Sequence, residues 1–229
     1  MKNLKDYIQE GILDNVNTAL KSADKNIKYN YFPKTKEELK DIVYKLIKER
    51  GRYANLNDIY TGDITDMSYL FDDSSFNGDI SNWDVSNVTD MNHMFYHSNF
   101  NKEISNWNVS SVTNMNAMFA DSKFNGDISK WNVSNVTDMS YMFHYSKFNK
   151  NINDWNVSNV EDMSWMFGST IFNKDISKWD VSKVKNMSYM FKFSEFNNDI
   201  SKWKINKDCS TKDMINHCPI KDNYKPENI

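Results

Sequence analysis

Four histidines are the first candidates for acid–base or metal chemistry: His93, His97, His144 and His217. His93 and His97 stand at i and i+4, a spacing with which one helical turn grips a metal ion. The run His93-Met94-Phe95-Tyr96-His97 holds no glutamate or cysteine to complete a ligand set, and it is not the zinc protease motif. Tyr141 and Tyr145 take the same two positions where the pattern returns, so the pair reads as ordinary surface residues. The only cysteines, Cys209 and Cys218, lie close together near the end of the chain. They read as packed free thiols or as one disulfide, without a wider cysteine framework. Asp79, Glu103, Asp127, Asp175 and Asp199 share one sequence column that Asn151 interrupts. Turn capping accounts for them, with calcium along the column as the alternative. No Gly-rich phosphate loop and no G-x-S-x-G elbow occurs. The sequence thus predicts no enzyme and no cofactor.

These residues sit in a unit that returns every 24 residues. Phe76, Phe100, Phe124, Phe148, Phe172 and Phe196 mark it, as do Trp83, Trp107, Trp131, Trp155, Trp179 and Trp203. A fixed period in the twenties is the signature of stacked repeats. Within one unit, Trp83 and Val85 alternate with Asn82, Asp84 and Ser86, which predicts a short strand with the tryptophan turned inward. Thr89 suits an N-cap, and Met91, Met94 and Phe95 at i, i+3 and i+4 predict one or two helical turns. Gly78, Lys102, Gly126, Lys150, Lys174 and Asn198 share a loop position where glycine and asparagine suit positive φ. The column Asn77, Asn101, Asn125, Asn149, Asn173 and Asn197 reads as amides that satisfy loop backbone or bond to one another. One repeat cannot fold alone, because its buried side chains do not offset the ordering of its backbone until neighbours stack.

The ends differ from the middle. Leu4, Tyr7, Ile8 and Ile12 mark one face of a short amphipathic helix, and the acids among residues 1–13 do not read as a secretory signal. Residues 1–32 thus comprise that segment and a polar linker, ending in an edge strand at Ile27–Phe32 before Pro33. Thr35-Lys36-Glu37-Glu38 is a capping box, and the stripe Leu39, Ile42, Val43, Leu46 and Ile47 predicts a capping helix ended by Gly51. The repeat body runs over 33–226: capping helix 33–52, degenerate first repeat 53–75, six repeats 76–206 and closing cap 207–226, with 227–229 as a tail. The chain has 229 residues, 39% of them hydrophobic, and a formal net charge of −3. That balance speaks against a nucleic-acid surface, and no stretch approaches the roughly 20 apolar residues of a membrane span.

The unit F-N-x-D-I-S-x-W-x-V-S-x-V-x-x-M-x-x-M-F resembles the BspA-like leucine-rich-repeat surface proteins of bacteria. Pro33-Lys34-Thr35-Lys36-Glu37-Glu38-Leu39, Leu56-Asn57-Asp58-Ile59 and Cys218-Pro219-Ile220 are similar to that family's caps. The resemblance covers about residues 33–226. It implies an α/β repeat fold: a leucine-rich-repeat-like solenoid of short parallel strands and short helical turns with an N-terminal helical cap. It also implies adhesion or protein binding. The family is often secreted or lipid-anchored, whereas this sequence shows no signal peptide, lipobox cysteine or wall anchor. Leu4-x-x-Tyr7-Ile8-x-Glu10 is similar to leaders on some phage-encoded proteins.

Two faces are candidates for binding. The first is the strand face, with Asn82, Asp84, Asn106, Asn108, Asn132, Asp154, Asn156 and Asp180 turned outward. The second is an aromatic column, Tyr69, Tyr141, Trp165 and Tyr189, which His93 and Ala117 complete. Its rings either anchor a partner or pack on the neighbouring turn. The expected function is a non-enzymatic protein-binding or adhesion module that takes a protein or glycan ligand on the strand face. The alternative is a structural or accessory subunit of a viral or cellular assembly, docked through residues 1–13. The oligomeric state stays open.

Overall fold

The computed structural model describes residues 28–227 and 229. The helix expected over residues 1–13 and the linker after it lie outside the described residues. Among the described residues there is one α-helix, α1, Lys36–Arg50. The Thr35 hydroxyl accepts the Glu38 N–H at 3.2 Å, and the Glu38 carboxylate accepts the Lys34 N–H at 2.7 Å. The first bond satisfies a donor that a helix start leaves open, and the second ties the residue before the cap back to the first turn. Gly51 ends the helix at φ 86°, its N–H donating to the Ile47 carbonyl at 2.9 Å. Leu39, Val43 and Leu46 turn into the core. Arg50 forks onto Asp58 at 2.9 and 3.0 Å, and Lys36 reaches Asp66 and the Ser68 hydroxyl, so α1 is tied to the first coil at both ends.

From there the chain winds in coils of 24 residues. Asp66, Asp90, Asn114, Asp138, Asp162, Asn186 and Ser210 form an unbroken series of single parallel bridges, each to the residue 24 positions on. Tyr31 makes a similar bridge to Ile59. Among the described residues no strand forms: they contain α1, the 3₁₀ turn Asp222–Tyr224 and isolated bridges. The expected α/β solenoid of short parallel strands and short helical turns is therefore not what the chain builds, and hydrogen bonding explains why.

Where a strand was expected, the inward and outward alternation is present but the ladder is not. Trp83 and Val85 are buried, while Asn82 and Asp84 are exposed. Yet the Trp83 N–H turns back to the Ile80 carbonyl at 3.1 Å and the Val88 N–H to the Val85 carbonyl at 3.0 Å. The backbone is spent on two tight turns, and neighbouring coils are joined there by side chains. Each indole N–H reaches the coil before it: Trp83 to the Leu56 carbonyl at 2.9 Å, Trp107 to Ile80 at 3.2 Å, Trp131 to Ile104 at 3.1 Å.

Where helical turns were expected, φ is positive at two positions of every coil. His93 and His97 stand at 54° and 48°, and the pairs Tyr69 and Asp73, Ala117 and Asp121, Tyr141 and Tyr145, Trp165 and Ser169 do the same. A left-handed residue breaks a right-handed helix. Alternate N–H groups then point along the stack. Those of Met91, His93, Phe95 and His97 donate to the carbonyls of Asn114, Asn116, Met118 and Ala120 in the following coil, at 2.9–3.0 Å. A second set of bonds runs the other way. The Thr113 N–H and hydroxyl donate to the Thr89 carbonyl of the preceding coil at 2.9 and 3.2 Å, so this threonine is a ladder rung, not an N-cap. Asn101 N–H donates to the Asn77 side-chain oxygen at 2.9 Å, and the same bond recurs down the asparagine column to Asn197. Gly78 does not take positive φ. Its lack of a side chain matters because a Cβ there would meet the Ala54 carbonyl oxygen at 2.0 Å.

The core is columns of like residues. Phe95 lies on Phe119 at 5.5 Å and 0°, and each such ring also stacks on the phenylalanine that opens the next repeat, Phe95 on Phe100 at 4.4 Å. Each stacked pair adds about 0.5–1.5 kcal/mol beyond its buried area. Trp131→Phe keeps the ring but deletes one inter-coil bond and some filled volume. The expected outcome is a loss of about 1–3 kcal/mol in the free energy of urea unfolding, with the native circular dichroism spectrum retained.

Candidate functional site

The residues expected on a strand face lie instead on and between the two tight turns that flank each tryptophan, and Asn82, Asp84, Asn106, Asn108, Asn132, Asp154, Asn156 and Asp180 are all exposed there. One column, Asp84, Asn108, Asn132, Asn156 and Asp180, shares one geometry. Each side-chain oxygen Oδ1 accepts the N–H of the serine two residues on: Ser86 at 3.0 Å, Ser110, Ser134 and Ser158 at 3.2 Å and Ser182 at 3.1 Å. These are Asx turns, in which the side chain mimics a backbone turn. This bond orients the carboxamides of Asn108, Asn132 and Asn156 through Oδ1. Their Nδ2 groups make no hydrogen bond within the described residues and stand one coil apart, beside indoles whose ring centroids repeat at 6.5 Å from Trp107 to Trp131. The Asn/Asp-x-Ser pattern in the sequence carries the signal for this lock. Beside the column, Asp154 pairs with Lys178 of the next coil at 2.8 Å.

The carboxylate column turns the same way. Asp79, Asp127, Asp175 and Asp199 each accept from a serine N–H, and Asn151 accepts from Asn153 N–H at 3.0 Å. The Ser129 and Ser177 backbone N–H groups, then their hydroxyls, hold Asp127 and Asp175 below the usual carboxylate range. For Asp180 and Asp199 the serine hydroxyl leads. Among the described residues no three histidines, cysteines or acids converge to hold a metal ion.

The aromatic column is a stack. Tyr69 lies on His93 at 4.6 Å and 11°, Tyr141 on Trp165 at 6.1 Å and 16°, and Trp165 on Tyr189 at 4.7 Å and 19°. The left-handed backbone at each position sends every ring out at one angle. Lys192 lies over Tyr189 at 4.8 Å and over Trp165 at 5.9 Å. The rings thus pack on their neighbours and still show to solvent, Tyr69 and Tyr141 by about two-fifths of their surface.

His93 and His97 do not converge. His93 Nδ1 meets Asn92 Oδ1 at 3.2 Å, and burial holds this imidazole below its usual range. His97 lies between two carboxylates, Nδ1 2.8 Å from Asp73 and Nε2 3.7 Å from Asp121. Separation by one repeat in each direction is the sequence signal for that trio. Burial likewise lowers His144 and raises the thiols of Cys209 and Cys218, both of which are free.

The family described as Mycoplasma protein of unknown function, DUF285, matches residues 40–147 and again residues 121–225. The chain belongs to this family. The double match reflects the repeat, and it gives the resemblance to leucine-rich-repeat surface proteins a coarser footing: a DUF285 repeat protein, without the finer assignment. No curated protein and no solved structure matches the chain. Among the described residues no helix is long and apolar enough to cross a membrane.

The serine-held carboxylates bind protons less readily folded than unfolded. Their stabilisation is full above the unfolded aspartate pKa and is lost as pH falls from about 4 through the lower folded values. Melting temperature followed against pH should drop over that window. In the double variant Asp127→Asn and Asp175→Asn, which copies the natural Asn151, the drop should be shallower and the fold unchanged.

Proposed function

We propose that this DUF285 protein is a non-enzymatic recognition module that holds a protein or glycan ligand along the exposed turn face. One observation carries the reading. Asn108, Asn132 and Asn156 present three carboxamide donors in successive coils, each oriented by its serine and none used within the described chain. Donors held in place before binding lose little entropy on contact, which favours affinity. Their regular rise suits a ligand with regularly spaced acceptors, such as the carbonyls of an extended peptide or the hydroxyls of a glycan. Asp84 and Asp180 close the row at either end, and Lys178, Lys202 and Lys204 make its far end basic, so a bound chain would have a preferred direction. The resemblance to bacterial adhesion proteins supports the same reading.

Asparagine to aspartate is the cleanest probe, because Asp84 and Asp180 already make the same turn with a carboxylate. The triple variant Asn108→Asp, Asn132→Asp and Asn156→Asp keeps Oδ1 and deletes every donor. Retention of the full chain on immobilised mucin and on immobilised unfolded casein should fall at least about tenfold, the equivalent of about 1.4 kcal/mol, with melting temperature little changed. Equal retention of variant and parent on the surface that holds the parent would remove the turn face from consideration.

A further inference from the structure

The aromatic stack is interrupted once. Ala117 occupies the left-handed position that carries Tyr69, His93, Tyr141, Trp165 and Tyr189 in the other coils, with φ 51° and the same backbone bond to the following coil. Three residues on, Ala120 stands where the neighbouring coils carry Tyr96 and His144. One coil has therefore lost two adjacent surface side chains, and a cavity of about 400 Å³ opens there, lined by His93, Tyr96, Asn116, Ala117, Ala120, Tyr141 and His144. The alanines are its floor, 4% and 2% exposed. His93 on one side and Tyr141 on the other are its walls.

The register fixes its width. His93 and Tyr141 belong to coils two steps apart, about 9.6 Å at a strand-type rise. Elsewhere in this column one step holds one stacking interval, 4.6 Å between Tyr69 and His93, 6.1 Å between Tyr141 and Trp165 and 4.7 Å between Trp165 and Tyr189. The gap thus has room for one flat ring with a ring face on each side. Both walls are braced from behind: His93 lies against Tyr69 and Tyr141 against Trp165.

We propose that this slot binds a single aromatic side chain presented by a protein partner, which completes the stack between His93 and Tyr141. Three observations choose this occupant. The floor is two methyl groups, and Asn116, which also lines the slot, already donates from Nδ2 to the Ser140 carbonyl and hydroxyl at 3.2 and 2.6 Å, so it has little to offer a sugar ring that needs directed donors. Asp72 and Asp90 lie near His93 and Asp121 near His144, so the rim disfavours a nucleotide phosphate. The position itself is shaped for an aromatic ring, since the chain supplies one there in five other coils. An aromatic anchor in a well-walled pocket is how protein partners commonly gain affinity. The slot lies in a different segment of each coil from the carboxamide row and does not depend on it.

The test is proton NMR of the full chain titrated with N-acetyltryptophanamide and N-acetyltyrosinamide. The expected result is saturable binding, with a dissociation constant on the order of 1 mM, and upfield shifts of the probe's ring protons. Ala117→Tyr fills the slot from within and should weaken binding at least tenfold, with melting temperature unchanged or raised. Tyr141→Ala removes one wall and should weaken it at least tenfold as well, which keeps the test decisive if the first variant folds poorly. Absence of a saturable shift in the parent chain would overturn the proposal. So would tight probe binding by both variants, or stronger binding of N-acetylargininamide or methyl glucoside than of either aromatic probe.

Discussion

Four backbone N–H groups per coil, taken alternately along the chain, donate to the coil that follows. Alternation alone would give a strand, and the chain cannot be one here, because Met94 and Tyr96 bond back to Met91 and His93 within the coil. Both demands are met only if two residues per coil take left-handed backbone. For a residue with a side chain each costs roughly 1–2 kcal/mol, while the four ladder bonds return about 1 kcal/mol each. The two nearly cancel, so the ladder fixes geometry more than it stabilises. Net stability falls to the buried columns of phenylalanine, tryptophan and methionine. Those columns exist only because every coil has the same length: an inserted residue would shift Phe119 off Phe95 and the Trp131 indole off the Ile104 carbonyl at one stroke.

Much of this could be read from the sequence, for physical reasons that differ by element. Thr35, Glu38 and Gly51 bound α1 because capping is local chemistry and local chemistry is written in neighbouring residues. The alternation at Asn82 to Ser86 correctly reported which side chains face inward. It said nothing of where the backbone bonds, and there it misled: the turns at Ile80 and Val85 face the same residues inward without pairing strands. Met91, Met94 and Phe95 carry helical spacing, yet a turn with left-handed His93 and His97 buries the same three side chains. Neither tyrosine nor tryptophan favours positive φ, and the histidines and aspartates that tolerate it, such as His93 and Asp121, do not recur at one position in every coil, so that conformation stayed hidden, while Gly78, which invited it, does not adopt it.

The candidate sites divide in the same way. The outward positions of the turn face follow from the 24-residue pattern, but their use as pinned donors depends on the serine two residues on, a detail of loop geometry. The aromatic column is visible in the pattern, and so is its missing member at Ala117. What the pattern leaves out is depth. The notch is a slot because Ala120 is small as well, and adjacency between those two alanines is a property of the folded turn.

The opposed bonding of the coils has an electrical consequence. Peptide units aligned in one sense, as in an α-helix, sum to a macrodipole with a pole at each end. Here the row through Met91, His93, Phe95 and His97 points its N–H groups toward the following coil, while the rows through Thr113 and Asn101 point theirs toward the preceding one. The two senses partly offset each other within every coil. A stack built this way carries a weaker pole at each end than an α-helix with the same number of aligned peptide units would.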